Sequence, residues 1–157
     1  GGMTVVVCPV RPSSRGTIMA HSADPLDRPL IRPNYFSDPD DIRVMIAGLR
    51  QARNILAQPA FKPYSVEETV PGLENQSDDD LEKFARENGS IIYHPVSTCK
   101  MGEDPMSVVD SRLRVHGIQA LRIVDASIMP TVTTGNTNAP TIMIAEKASD
   151  MILEDIM

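Results

Sequence analysis

Apolar side chains recur at helical spacing in three stretches of the chain, and these stretches predict three helices. The first is expected from residue 39 to about residue 57, since Asp38 can cap it and a proline occupies its first position. The second follows the cap residue Ser77 and ends near Gly89. The third covers about residues 139–155, and its uncharged, apolar first half predicts burial on every side.

Shorter runs of apolar and β-branched residues lie between these helices and predict strands, because prolines and glycines end each run. The predicted strands are residues 4–10, 16–21, 91–93, 107–110, 113–115 and 121–125. The proline-rich residues 24–41 are expected to form an extended loop that leads into the first helix. Residues 59–76 are expected to connect the first two helices, with room for one short strand near Phe61. This mixture predicts an irregular α+β fold or a fragment of an α/β domain.

The composition indicates a globular chain with a thin core. Of 157 residues, 41% are apolar and 23% are charged, and the formal net charge is −6. There are three tyrosines, three phenylalanines and no tryptophan, but nine methionines, so aliphatic side chains and Met must provide the packing. No nucleic-acid partner is expected, because Lys and Arg are not clustered, and no apolar stretch is long enough to predict a membrane helix. Such a core suits a small domain, or part of a larger one whose remainder completes the burial.

The two cysteines, Cys8 and Cys99, lie far apart in the sequence and have no zinc-finger spacing with the histidines, so no metal site is expected. Residues 1–3, Gly-Gly-Met, are interpreted as a cloning scar, and no secretion signal follows them. We therefore expect a reduced, cytoplasmic protein. Peripheral attachment of a longer parent protein to the inner membrane is left open.

Among the three histidines, His94 is the strongest candidate for chemistry. It follows the apolar run 91–93 and precedes Pro95, which fixes the chain direction and holds the imidazole at the end of an element. Imidazole titrates near neutral pH and can exchange protons there. His116 lies in turn-like sequence and His21 at the end of a predicted strand, and structural roles are predicted for both.

Asn136 and Asn138 precede the third predicted helix, and two interpretations of them stay open. In the first, Asn138 caps the helix and Asn136 shapes the turn. In the second, the amino end of this helix directs unpaired amides and partial positive charge at a ligand, where they would stabilise an anion. The acidic run 78–80 has a simpler explanation, because carboxylates stabilise the amino end of a helix.

The second half of the chain contains several distinctive motifs: YHPVSTCKMG at 93–102, VVD at 108–110, LRVHGI at 113–118, LRIVDASIMP at 121–130, GNTNAPT at 135–141 and AEKA at 145–148. In this order they resemble the carboxyl-terminal part of the glucose-methanol-choline (GMC) flavin oxidoreductases. PSSRG at 12–16 and the stretch 33–41 resemble the family's substrate-binding half less specifically. The resemblance implies that residues 4–92 are part of a substrate-binding sheet-and-helix domain. It implies that residues 93–157 return into the FAD-binding domain.

The resemblance also implies roles for individual residues. His94 matches the catalytic histidine, which takes the proton of an alcohol while hydride moves to flavin N5. Asn136 matches the second active-site position, which is Asn in choline-oxidase-like members and would bind the substrate oxygen. The residues that match cofactor-binding positions are Asp125, Ala126, Asn138 and Ala139. Ser97 stands where many relatives have Gly, and it would be strained if that position has a positive φ.

The chain is therefore expected to be a fragment of an FAD-dependent alcohol or choline dehydrogenase that oxidises a primary alcohol. It contains no GxGxxG or P-loop to hold a dinucleotide and no GxSxG nucleophile turn. We thus expect it to lack its amino-terminal FAD-binding segment, to be inactive alone, not to retain FAD, and to self-associate through exposed apolar surface. Two alternatives stay open: a hydroxynitrile lyase-like member that keeps FAD without using it, and a folded module without activity.

Overall fold

The computed structural model describes residues 2–64 and 67–156. The chain forms two compact units, and the boundary falls between Ser90 and Ile91. The predicted domain boundary after residue 92 lies close to this one, and the assignment of each side to a domain of a larger protein stays a prediction. The segments discussed in the sequence analysis also include residues 1, 65, 66 and 157, which lie outside the described residues. No helix in the described part of the chain is both long and apolar enough to cross a membrane.

The first unit contains a small antiparallel hairpin. Strand β1, Thr17–Met19, pairs with strand β2, Leu30–Arg32. The strand predicted at 16–21 is thus confirmed, whereas β2 lies inside the stretch predicted to be loop. A Cβ at Gly16 would collide with the backbone carbonyl of Arg32, so this position accepts only glycine without a shift of the chain.

The strand predicted for residues 4–10 is wrong. These residues adopt no regular structure, and Val6 is 70% exposed. A β-branched run forms a strand only where another strand supplies hydrogen-bond partners, and the described part of the chain offers it none. Local propensity was overridden here by the lack of a neighbour.

The remainder of the first unit is built from two helices, as predicted. Helix α1 is Pro39–Leu56, and the Asp38 side chain caps it by accepting from the Asp40 amide. Helix α2 is Asp78–Asn88, and Ser77 and Asp80 form a reciprocal capping box at its start. The helices pack together through a small core of Ile42, Ile46, Leu81 and Ala85. The acidic residues at the start of α2 therefore act in capping and at the positive helix end.

Between α1 and α2, the strand expected near Phe61 is wrong. Pro59–Phe61 form a single 3₁₀ turn, which suits a proline at the first position. The later part of this connection is fastened to α1 by Arg53, whose guanidinium donates to the Glu68 carboxylate and to the carbonyls of Gly72 and Asn75.

The second unit has little regular structure before its one long helix. Its core consists of Val109, Leu113, Ile128, Met129, Ile144 and Ala148. The strands predicted at 107–110, 113–115 and 121–125 are reduced to single bridges, Met101 with Val109, Val109 with Val115, and Arg114 with Arg122. Leu113 and Ala120 have positive φ angles, so the chain turns before a ladder can extend. The residues of the stretch 121–125 are half-buried or exposed.

Helix α3, Asn138–Ile156, confirms the third predicted helix. Only Ile144 and Ala148 of this helix are buried, while Ile142 and Met143 are 55% and 58% exposed. The prediction that its first half is buried on every side is therefore wrong within the described part of the chain. At the other end, the guanidinium groups of Arg112 and Arg122 bind the Asp155 carboxylate and hold the last turn against the loops.

Candidate functional site

His94 lies in a loop whose backbone is held in an unfavourable conformation. The apolar run 91–93 was predicted to be a strand, but it has no regular structure, and Tyr93 has a φ of 60°. Ser97 has a φ of 73°, so the positive φ considered for this position is present. Residues other than glycine rarely adopt this left-handed backbone conformation, and those that do cluster at functional sites. Two such residues bracket the half-buried His94.

Two backbone hydrogen bonds fasten this loop to the segment that contains the predicted cofactor residues. The Cys99 amide donates to the Ser127 carbonyl at 3.0 Å, and the Met101 amide donates to the Ile128 carbonyl at 2.8 Å. Ala126–Ile128 is a 3₁₀ turn, and the Asp125 carboxylate caps it by accepting from the Ser127 amide at 2.7 Å. Asp125 and Ala126 thus lie on a segment that is pinned to the loop of His94.

The side chain of His94 contacts a residue that the sequence reasoning did not single out. Its Nδ1 lies 2.9 Å from Oγ1 of Thr137, and Thr137 is 8% exposed. This contact joins the loop of His94 to the Gly-Asn-Thr-Asn loop before α3. It was not predicted because a threonine between two asparagines has no distinguishing spacing. The proline three residues later is the signal that could have revealed it, because that proline removes a usual partner of a capping hydroxyl.

Thr137 also begins helix α3. Its carbonyl accepts from the Thr141 amide at 3.0 Å and from the Thr141 hydroxyl at 2.6 Å. Thr137 therefore occupies the cap position, and the prediction that Asn138 caps the helix is wrong, since Asn138 is the first helical residue. Asn136 is exposed and lies next to Thr137 in the chain, which puts it one residue away from the partner of His94.

The amino end of α3 suits an anionic group. Asn138 and Ala139 are exposed and occupy the first two helical positions, where backbone amides have no partner within the helix. The aligned peptide dipoles of the helix add roughly half a positive charge at this end. Reduced flavin is anionic at its pyrimidine edge, so the donors present here fit that part of FAD. These amide donors fit the edge of the flavin ring. They do not account for binding of the FAD pyrophosphate.

Asp110 is a half-buried carboxylate of the second unit, next to the core residue Val109. Its carboxylate accepts from the backbone amides of Arg112 and Arg114 at 2.8 and 3.0 Å and from the Arg114 guanidinium at 2.8 Å. Burial raises the pKa of Asp110, but these hydrogen bonds outweigh it and lower the pKa from 3.8 to about 2. The carboxylate therefore stays charged and fixes the turn between Val109 and Leu113. Both of these residues belong to the core of the second unit, against which Val96 packs.

Comparison with known proteins identifies the relatives of this chain. Residues 12–145 match the family model described as GMC oxidoreductase. An alcohol dehydrogenase [acceptor] of Pseudomonas putida is 50% identical over 155 residues, which are 99% of this chain and 28% of that protein. An oxygen-dependent choline dehydrogenase of Pseudomonas savastanoi pv. phaseolicola is 50% identical over 151 residues, 96% of this chain and 27% of that protein.

A solved structure agrees with these sequence matches. An FAD-dependent oxidoreductase from Chaetomium thermophilum superposes with a TM-score of 0.86 at 32% identity, over 93% of this chain and 26% of that one. The chain therefore spans little more than a quarter of the length of its relatives. The match of residues 12–145 to the family model covers most of the chain, and the chain belongs to the GMC oxidoreductase family.

Proposed function

We propose that the parent protein of this chain is an FAD-dependent dehydrogenase that oxidises a primary alcohol, with choline among the candidate substrates, and that His94 is its catalytic base. The observation that supports this most directly is the half-buried His94 imidazole, whose Nδ1 meets the Thr137 hydroxyl at 2.9 Å beside the amino end of α3. In this arrangement one ring nitrogen contacts the protein, and the other, Nε2, takes part in none of the hydrogen bonds found among the described residues.

The residues of this chain divide the reaction between them. Nε2 of His94 takes the proton of the substrate hydroxyl, for which an imidazole is suited near neutral pH. Asn136, next to Thr137, donates its side-chain amide to the substrate oxygen and orients the alcohol. The amides of Asn138 and Ala139, with the dipole of α3, stabilise negative charge that develops opposite them. When bound, FAD supplies the acceptor for the hydride from the substrate carbon.

The names of the relatives support an alcohol substrate. The relative from P. putida is named an alcohol dehydrogenase [acceptor], and the relative from P. savastanoi is named an oxygen-dependent choline dehydrogenase. As part of the same proposal, Asp125 and Ala126 lie beside the cofactor in the whole protein, and residues outside this chain bind the cofactor's pyrophosphate. On this proposal the 157-residue chain alone does not retain FAD, and it self-associates through exposed apolar residues of α3. The parent protein is cytoplasmic or peripheral to the inner membrane.

Anaerobic reduction of the flavin by alcohol in the full-length enzyme tests this function. His94→Ala is expected to slow reduction by about 10²-fold or more, because removal of a general base costs that much. His21→Ala is the matched control, since His21 is exposed and lies in the other unit of this chain. Near-normal reduction in His94→Ala would remove the assigned role. An alcohol series that never bleaches the flavin would replace oxidation with lyase-type acid–base chemistry.

A further inference from the structure

We propose that Thr137 is a positioning residue for His94. Its hydroxyl oxygen accepts a hydrogen bond from Nδ1–H of the imidazole, which leaves Nε2 unprotonated and directed at the substrate. The contact is between Nδ1 and Oγ1 at 2.9 Å. The inference rests on the proposed function of His94 as a base, and it adds the residue that selects the imidazole tautomer.

The hydroxyl of Thr137 is available for this task because of the sequence that follows it. A threonine at a helix cap ordinarily accepts from the amide of the second or third helical residue. The third helical residue of α3 is Pro140, which has no amide hydrogen. One of the two amides that can occupy a capping hydroxyl is therefore missing, and Oγ1 of Thr137 contacts Nδ1 of His94. The helix is begun by the Thr137 carbonyl, which accepts from Thr141.

The position of the hydroxyl is rigid on both sides of the contact. Thr137 is β-branched and buried, so its side chain has few alternative rotamers. Its backbone is tied to α3, which packs into the core of the second unit through Ile144 and Ala148. On the other side, Val96 packs against that same core two residues after His94. The distance between the ring and the hydroxyl is thus set by two segments that share one core.

Proton transfer itself determines which atom donates. A neutral imidazole carries one N–H, and a protonated imidazole carries two, so both ring nitrogens must then be donors. If Thr137 donated to Nδ1, the neutral ring would carry its one proton on Nε2, which could then take no proton from the substrate, and uptake at Nδ1 would require the hydroxyl to turn away. If Nδ1–H donates to Oγ1 throughout, Nε2 gains its proton with no rearrangement. The second arrangement lets His94 act as a base within a fixed hydrogen bond.

Nuclear magnetic resonance of the 15N-labelled chain tests the tautomer without flavin. Two-bond 1H–15N correlations at neutral pH are expected to show His94 with the proton on Nδ1, assigned by its loss in His94→Gln. In Thr137→Val, which keeps the β-branched shape but lacks the hydroxyl, the Nδ1–H pattern is expected to give way to a mixture of tautomers. Thr137→Ser keeps the hydroxyl and should restore the parent pattern. An Nε2–H tautomer in the parent chain, or no change in Thr137→Val with folded circular dichroism spectra, would overturn the inference.

Flavin reduction in the full-length enzyme gives the second readout. Thr137→Val is expected to lower the limiting reduction rate about 10–100-fold, the range found when the orienting partner of a metal-bound histidine is removed. The half-saturating alcohol concentration should stay within about 2-fold, and Thr137→Ser should recover most of the rate. A tautomer change with an unaltered rate would count against the base role of His94 and hence against the proposed function. An unaltered tautomer would count against Thr137 alone.

Discussion

Ser97 offers a direct measurement of the strain stored in the loop of His94. Its φ of 73° lies in the left-handed region, where the β-carbon of an L-residue crowds the backbone. The change Ser97→Gly removes that carbon. The Ser97 hydroxyl takes part in none of the hydrogen bonds found among the described residues, so little else is expected to change.

Two opposing contributions set the expected magnitude. Release of the left-handed conformation is worth about 1–2 kcal/mol for one residue. The greater freedom of glycine in the unfolded chain costs about 0.5–1 kcal/mol. Ser97→Gly should therefore raise the free energy of unfolding by about 0–1.5 kcal/mol, an unusual sign for a substitution to glycine.

Urea unfolding of the 157-residue chain, followed by circular dichroism, measures this change. Ser111→Gly is the matched control, because Ser111 is an exposed residue of the same unit and is not among the residues with positive φ. That variant should lose about 0.5–1 kcal/mol, since only the entropic cost of glycine applies to it. The difference between the two variants equals the strain. If both lose stability by the same amount, Ser97 is unstrained and the reasoning is refuted.

Two further predictions concern carboxylates. Because the pKa of Asp110 is lowered from 3.8 to about 2 in the folded chain, its contribution to stability is complete above pH 3.8 and is lost as the pH falls towards 2. Urea unfolding at pH 7 and pH 3 should show a smaller difference in Asp110→Asn than in the parent chain, and an equal difference would contradict the assignment. Asp41 is 5% exposed and accepts from the amides of Ser13 and Ser14 at 2.7 and 2.8 Å. Asp41→Asn should weaken this anchor by about 1–3 kcal/mol and speed hydrogen exchange of those two amides about 10–100-fold, whereas unchanged exchange would show that the carboxylate does not hold them.

The helices could be predicted because their signals are local. Asp38 before Pro39 and Ser77 before an acidic turn specify helix starts through contacts within a few residues, and both caps are present. The strands failed for the opposite reason. Residues 4–10 have strand-forming side chains, but a strand also needs a neighbour that sequence periodicity cannot supply. In the second unit, positive φ angles at Leu113 and Ala120 interrupt the predicted strand ladders. Neither leucine nor alanine is a residue type that indicates a positive φ in a sequence.

The burial of α3 shows a related limit. An apolar helix face indicates that something covers it, but the pattern does not name the covering element. Ile142 and Met143 are exposed in this chain, whereas Ile144 and Ala148 lie in its core. In the part of the chain that the structure describes, Ile142 and Met143 are each more than half exposed, and the chain covers 28% of the length of its relative from P. putida.

The candidate site shows how a residue can be assigned while its partner is overlooked. His94, Asn136 and the start of α3 were recognised by residue type and by position next to an element end. Thr137 was not, because its importance depends on which hydrogen bond its hydroxyl makes, and this depends in turn on Pro140. Pro140 lowers the capping capacity of the helix start and leaves the hydroxyl to the imidazole. If His94 is the base, as proposed, a residue that costs the helix one backbone donor favours a fixed hydrogen-bond partner for the imidazole, and stability at the helix end is exchanged for orientation of the ring.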